Sequence, residues 1–151
     1  MAAPSPKTEA PAALPTTGNE RVDRMLQGML GAPHIEQADL DGTQLSIYFR
    51  GDDDYFVGEE FLARLAIGAA FGFFYRCGVE KAAFWFFRNG EDVKLRFDKA
   101  AFNAFFGLST EQMSKLAVDP NRFDASPVHQ VNEQRQWEFY LQFSKDQNTG
   151  A

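Results

Sequence analysis

From Leu65 to Tyr75 the chain runs Leu-Ala-Ile-Gly-Ala-Ala-Phe-Gly-Phe-Phe-Tyr, with no charged or amide side chain. This is far short of the roughly 20 residues a membrane-spanning helix needs, so the stretch reads as a protein interior and no membrane span is expected. The spacing predicts a helix over Val57–Cys77 that stops at Gly78. Its first turn carries Glu59 and Glu60, where the helix dipole favours acids. A helix that is apolar all round has no face to give to water and must be covered from more than one side. The rest of the chain therefore has to supply that cover.

The cover is legible in outline. Asn19 is a plausible N-cap for a helix in which Val22, Met25, Leu26, Met29 and Leu30 recur at helical spacing, closed by Gly31 and Pro33. Asp41-Gly42 reads as a hairpin turn between Ile35–Leu40 and Thr43–Arg50, where Leu45, Ile47 and Phe49 alternate with polar neighbours. Asn89-Gly90 is a second turn, between strands near Val79–Arg88 and Glu91–Phe97. Asp98 caps a short helix through Phe106, and Ser109 with Gln112 forms a capping box for another that stops at Asp119-Pro120. Residues 120–135 look irregular. Trp137, Phe139, Leu141 and Phe143 alternate with Glu138, Tyr140 and Gln142, a half-buried strand by period, with a helix as the alternative.

The expected fold is α+β: a mostly antiparallel sheet of about five strands, two hairpins plus a C-terminal strand, with helices mainly on one side. A length of 151 residues suits one domain, placed at 19–145 and followed by a flexible C-terminus at 146–151. Residues 1–18 are rich in Ala, Pro and Thr without periodicity and read as a disordered tail, either a native terminus or the remnant left after removal of a signal or anchor. Within it, Leu14-Pro15-Thr16-Thr17-Gly18 is similar to a sortase sorting signal, whose C-terminal setting and apolar and basic flanks are missing here.

The second hairpin carries the most information about function. A two-residue Asn89-Gly90 loop pairs Arg88 with Glu91, and the register then runs back to Ala82–Phe97. Phe84, Phe86, Val93, Leu95 and Phe97 share one face, the core. Trp85 and Phe87 fall on the other, beside Asp92, Lys94 and Arg96, with Tyr48 on the matching polar face of the first hairpin. Lys94 or Arg96 is expected over the Trp85 ring as a cation–π pair. Three readings of this face compete: another segment covers it, a partner or second subunit docks on it, or a small ligand rests there.

Other groupings carry less. Gly68 and Gly72 form a Gly-x-x-x-Gly, read either as tight packing of the helix on the sheet or as a helix-to-helix dimer contact. Asp52, Asp53 and Asp54 join Glu59 and Glu60 in an acidic patch, read as a solvated loop, a weak cation site or a steering patch for a basic partner. No metal is expected, because the spacing lacks a calcium loop's alternation. Cys77, the only cysteine, permits no internal disulfide and reads as an inert thiol in a reducing, cytoplasmic setting, or an extracytoplasmic one if a signal preceded the tail. His34 and His129 have no ligand spacing, and no phosphate-cradling loop is present, so neither catalytic residue nor cofactor is expected.

A net charge of −6 disfavours nucleic acid as a partner. In size, acidity and helix–hairpin order the chain is similar to the dimeric chaperones of secretion systems, a likeness that carries no residue motif. The function expected is a non-enzymatic acidic binding or adaptor module that acts through protein contacts or as a homodimer. The alternative is a binder of a small apolar or aromatic ligand in a pocket lined by part of the 16 phenylalanines.

Overall fold

The computed structural model describes residues 16–50, 58–88 and 91–144. The acidic triplet Asp52–Asp54, the Asn89-Gly90 turn and most of both termini lie outside these. The order is α1 (Glu20–Gly28), a 3-10 turn (Ala32–His34), β1 (Ile35–Asp41), β2 (Gln44–Phe49), α2 (Glu59–Arg76), β3 (Lys81–Arg88), β4 (Glu91–Asp98), α3 (Lys99–Phe106), α4 (Thr110–Val118), α5 (Pro120–Asp124) and α6 (Glu133–Ser144). The class is α+β, but the sheet has four strands rather than five, in the order β1-β2-β3-β4.

The sheet is mixed. β1–β2 and β3–β4 are antiparallel hairpins, while β2 and β3 run parallel. The cause is the length of α2. Eighteen helical residues span about 27 Å, close to the roughly 26 Å of an eight-residue strand. The helix therefore returns the chain to the end of the sheet from which β2 started, and β3 must run alongside β2 in the same direction.

Local chemistry sets the boundaries. The Asn19 side chain accepts from Val22 N at 3.1 Å, and the Asp23 carboxylate accepts from Thr17 N and Thr17 Oγ1 at 2.7 and 2.8 Å, which fastens the entry to α1. The first hairpin turns at Gly42-Thr43, one residue later than the Asp41-Gly42 pair, with Gly42 at φ 64° and Asp41 opposite Gln44. Asp98 caps α3 through the Ala101 amide, and Ser109 and Gln112 complete a capping box at 3.1 and 2.8 Å. Residues 120–135 hold α5 and a turn at Ser126, whose hydroxyl donates to Phe123 O at 2.7 Å.

The C-terminal segment is a helix, not a fifth strand. Asn132 accepts from Arg135 N at 2.9 Å, and Arg135 pairs with Glu138. Gln136, Phe139 and Phe143 are buried at helical spacing, which leaves Trp137 and Leu141 exposed. Alternation of aromatics had implied that 137, 139, 141 and 143 face one way. Packing against α2 and β4 selects every third or fourth residue instead.

All described helices lie on one face of the sheet. α2 is buried nearly all round, against the sheet, α1, α4 and α6. Phe97 on β4 is the aromatic junction of this layer, with Phe84, Phe74, Phe102, Phe139 and Phe143 at centroid distances of 5.1–6.0 Å. Tyr75 donates to Asn103 Oδ1 at 2.6 Å and Asn103 donates to Thr110 at 3.2 Å, which keeps a buried amide satisfied where α2, α3 and α4 meet.

The two glycines of Gly68-x-x-x-Gly72 have unlike surroundings. Gly72 packs not on the sheet but against α1, where an added Cβ would collide with Met25 Cε and lie 3.1 Å from its Sδ. Gly68 is exposed, with nothing within 4 Å of such a Cβ. Gly68→Ala should therefore stabilise the fold by about 0.5–1 kcal/mol through helix propensity. Gly72→Leu should cost about 1–3 kcal/mol by overpacking against α1. Urea unfolding of the two variants checks the contrast; equal responses would refute it.

Candidate functional site

The sheet has a second face, built by strand alternation alone. With Leu45, Ile47, Phe49, Ala82, Phe84, Phe86, Leu95 and Phe97 turned to the helices, the residues between them point the other way. The register of β3 and β4 is the one a two-residue loop requires: Arg88 opposite Glu91, Phe87 opposite Asp92, Trp85 opposite Lys94 and Ala83 opposite Arg96. The parallel pairing sets Tyr48 beside Trp85 and Ser46 beside Ala83, and β1 adds Gln37 beside Tyr48 and Asp39 beside Ser46. Two continuous rows result, Gln37–Tyr48–Trp85–Lys94 and Asp39–Ser46–Ala83–Arg96.

The aromatic row is organised by direct contact. Tyr48 and Trp85 stack with centroids 5.7 Å apart and planes 14° from parallel. The Lys94 ammonium sits 4.4 Å from the Trp85 ring centroid, so of the two cations it is Lys94, and not Arg96, that covers the ring. Phe87 follows at the end of β3 and is 37% exposed. Beside this row, small Ser46 and Ala83 leave a shallow depression of about 180 Å³ that Lys81, Lys94 and Arg96 rim. A second open hollow, of about 400 Å³, lies between Glu36, Tyr48, Trp85, Phe87 and Asp92. Trp85, Tyr48 and Lys94 are half-buried, while Lys81, Arg96 and Phe87 are exposed, and every described helix packs on the opposite side.

Acids dominate β1, where Glu36, Asp39 and Asp41 are exposed, whereas Lys81, Lys94 and Arg96 on β3 and β4 share the face with exposed Asp92 and Asp98. Lys81, Lys94 and Arg96 form no ion pair within the described residues. Trp85, Phe87, Lys94, Arg96 and Tyr48 are thus gathered on one surface. Lys81, Ser46, Ala83 and the β1 acids join them, which local turn chemistry could not reveal because β2–β3 pairing spans the whole of α2.

The other candidates do not join them. Glu59 and Glu60 occupy the first turn of α2, and Asp52, Asp53 and Asp54 fall outside the described residues. Cys77 ends α2 half-buried and donates to Arg21 O at 3.5 Å. Burial pushes its thiol above the ordinary range, against the pull of Arg21 and Arg76. Hydrogen bonds from Gln134, then Arg135, hold the Glu138 carboxyl below its usual range. No group of three or more His, Cys, Asp or Glu side chains among the described residues could hold a metal. Sequence reasoning missed one further exposed group, Trp137 stacked on Tyr140 at 5.8 Å with Leu141 beside it on α6, because the strand reading turned Trp137 and Leu141 inward.

No protein-family model matches the sequence, and no curated protein and no solved structure matches it either.

Two outcomes are expected of this geometry. Lys94→Gln should lower folding stability by about 0.5–1 kcal/mol, the worth of an exposed cation–π contact, while Lys94→Arg keeps it; urea unfolding measures both. Because the thiolate is the reactive form, Cys77 should react with a disulfide reagent several-fold more slowly at pH 8 than an unstructured peptide thiol. Denaturant should remove the difference, and a native rate equal to the peptide's would contradict the raised thiol.

Proposed function

We propose that this chain is a non-enzymatic binding module whose contact surface is the outer face of the sheet. The observation that carries the reading is the Tyr48–Trp85–Phe87 row, open on the side that no described helix covers. Large aromatics with planar, low-entropy side chains anchor protein interfaces, and an aromatic centre with a charged rim is the usual anatomy of one. Lys81 and Arg96 supply rim charge that is not consumed within the described residues. A reducing, cytoplasmic setting suits the single half-buried thiol. No described helix is long and apolar enough to cross a membrane.

A second reading has one observation in its favour. The open hollow beside Phe87, of about 400 Å³, has the volume of a small-molecule site, about 300–1,000 Å³. It would take a flat aromatic ligand between Tyr48, Trp85 and Phe87. Many of the phenylalanines pack on one another in the core, as around Phe97, so the ligand reading rests on the outer face rather than on a Phe-lined interior.

A photo-crosslinking amino acid at Phe87, in the full chain in its own cells, separates these. The module reading expects protein adducts from position 87 and none above background from Val118, which is more exposed still, at the end of α4. Trp85→Ser should weaken the adducts several-fold while a cooperative unfolding transition persists. Equal adducts from both positions would overturn the reading. So would loss of the folding transition in Trp85→Ser, since the face would then be a second core.

A further inference from the structure

We infer that the shallow depression beside the Tyr48–Trp85 row is a site for a single phosphate monoester group. The inference goes beyond the binding-module reading and does not depend on it.

The depression exists because the two smallest side chains of the outer face, Ser46 and Ala83, are set side by side by the parallel pairing of β2 with β3. Larger neighbours wall this floor: Gln44 and Lys81 toward one end of the strands, Tyr48 and Trp85 toward the other. Arg96 stands directly opposite Ala83, with Lys94 two residues before it on β4. Lys81 is the diagonal neighbour of Arg96 across β3–β4, roughly 7–8 Å away at the backbone. All three cations line the depression.

No acid lines it. The carboxylates nearby on the same face are committed elsewhere or stand apart. Asp98 accepts from Ala101 N at 2.8 Å, and Asp39 accepts from the Gln37 amide at 2.9 and 3.2 Å. Asp92 lines the hollow on the other side of the aromatic row, and Asp41 lies beyond Gln44 on β1. None of them pairs with the three cations among the described residues. Lys94 is engaged by the Trp85 ring, whereas the charges of Lys81 and Arg96 have no partner among the described residues.

Charge and shape select the ligand. A phosphate monoester carries about −1.5 to −2 charge at neutral pH and three strong acceptor oxygens, which suits cations that approach from more than one side. The Arg96 fork can take two of those oxygens. Tyr48 and Trp85 stack on each other and Lys94 covers the other face of Trp85, so the rings turn their edges to the depression. Ring edges are the positive part of the aromatic quadrupole, which favours an anion there. The volume of about 180 Å³ lies below the about 300 Å³ at which sites for whole small molecules begin, so the site holds one group rather than a whole ligand. A long polyanion would run onto Asp39, Asp41 and Asp98 and meet a chain of net charge −6, which restricts the site to a single phosphate. Because the depression is open to water, the free ion binds only at roughly millimolar concentration.

Two-dimensional NMR of the full chain, titrated at constant ionic strength near neutral pH, tests this. Inorganic phosphate should shift the amide signals of Ser46, Ala83 and Arg96 saturably, with a dissociation constant of roughly millimolar, and acetate should not. Lys81→Gln and Arg96→Gln should each weaken phosphate binding several-fold, and K81Q/R96Q should abolish it. Arg96→Lys, which keeps the charge, should retain most of it, and Lys115→Gln, an exposed change on α4, should alter nothing. The spectrum of each variant also shows whether the fold is intact. A peptide with one phosphoserine, compared with the same peptide unmodified, identifies the source of the group. Binding of the phosphopeptide tighter than that of inorganic phosphate places the group on a partner chain, and equal binding places it on a small phosphate ester. Shifts as large with acetate as with phosphate, or phosphate shifts that persist in K81Q/R96Q, would overturn the site, as would the absence of saturable shifts with both phosphate and phosphopeptide. Protein crosslinks from Phe87 without phosphate binding would leave the binding-module reading in place and remove only this site; phosphate binding without crosslinks would do the reverse.

Discussion

Everything in this fold is arranged around the need to keep α2 dry. From Leu62 to Phe74 nearly every side chain is buried, so no single neighbour can satisfy the helix. Strand residues such as Ile47 and Phe84 form its floor. α1 closes on Gly72, where the end of the Met25 side chain takes the space that a Cβ would need. Phe123 of α5 packs on Phe71 at 4.8 Å, and α6 lies along the remaining flank. The length of α2 also dictates strand direction, since a helix as long as the strands must bring the chain back before β3 can begin. One apolar stretch thus sets the layer order, the mixed sheet and the crowding of helices onto one side.

That crowding has a cost on the opposite side. With each described helix committed to covering α2, none covers the outer face, and the side chains that strand alternation sends there are in or near water. Polar residues would serve if solubility were the sole requirement. The face instead holds Tyr48, Trp85 and Phe87, side chains worth about 1.5–3 kcal/mol each when fully buried. Stacking of Tyr48 on Trp85 and the Lys94 ammonium over the same ring recover part of that burial. Phe87 has no such ring or cation contact among the described residues and is still 37% exposed. An aromatic row that is only half satisfied by its own chain has contact area left to give, which is the physical content of calling it a binding surface.

What could be read from the sequence divides along locality. The β3–β4 register, the core face of that hairpin and the Lys94–Trp85 contact all stem from a two-residue turn and the period of a strand, both within twenty residues of Asn89-Gly90. The caps at Asn19, Asp98 and Ser109 were legible for the same reason, since each hydrogen bond closes within three residues. The parallel pairing of β2 with β3 was not legible, because two antiparallel hairpins joined by a helix leave open which strands meet and in which sense. The C-terminal helix was misread because Trp137, Phe139, Leu141 and Phe143 alternate as a strand does, while tertiary packing buries only Phe139 and Phe143 of the four. Gly68 and Gly72 fit one motif in sequence and two environments in space, a difference set by where α1 lies.

The edges of the sheet explain why an exposed aromatic face need not lead to indiscriminate aggregation. Open sheets associate most readily through the unpaired backbone of their outer strands. Here β1 is interrupted by a bulge at Glu36 and carries Glu36, Gln37, Asp39 and Asp41 toward solvent. β4 at the other edge alternates Asp92, Lys94, Arg96 and Asp98 with its core residues. Charge at both edges and a kink in one discourage strand addition, and the same charges, seen from the face, border the aromatic row, acidic along β1 and of mixed sign along β4. On the proposed binding reading, contact is thereby directed away from the backbone edges and onto the flat of the sheet. The charged positions on β1 and β4 that protect the edges would then also define what can dock on the face.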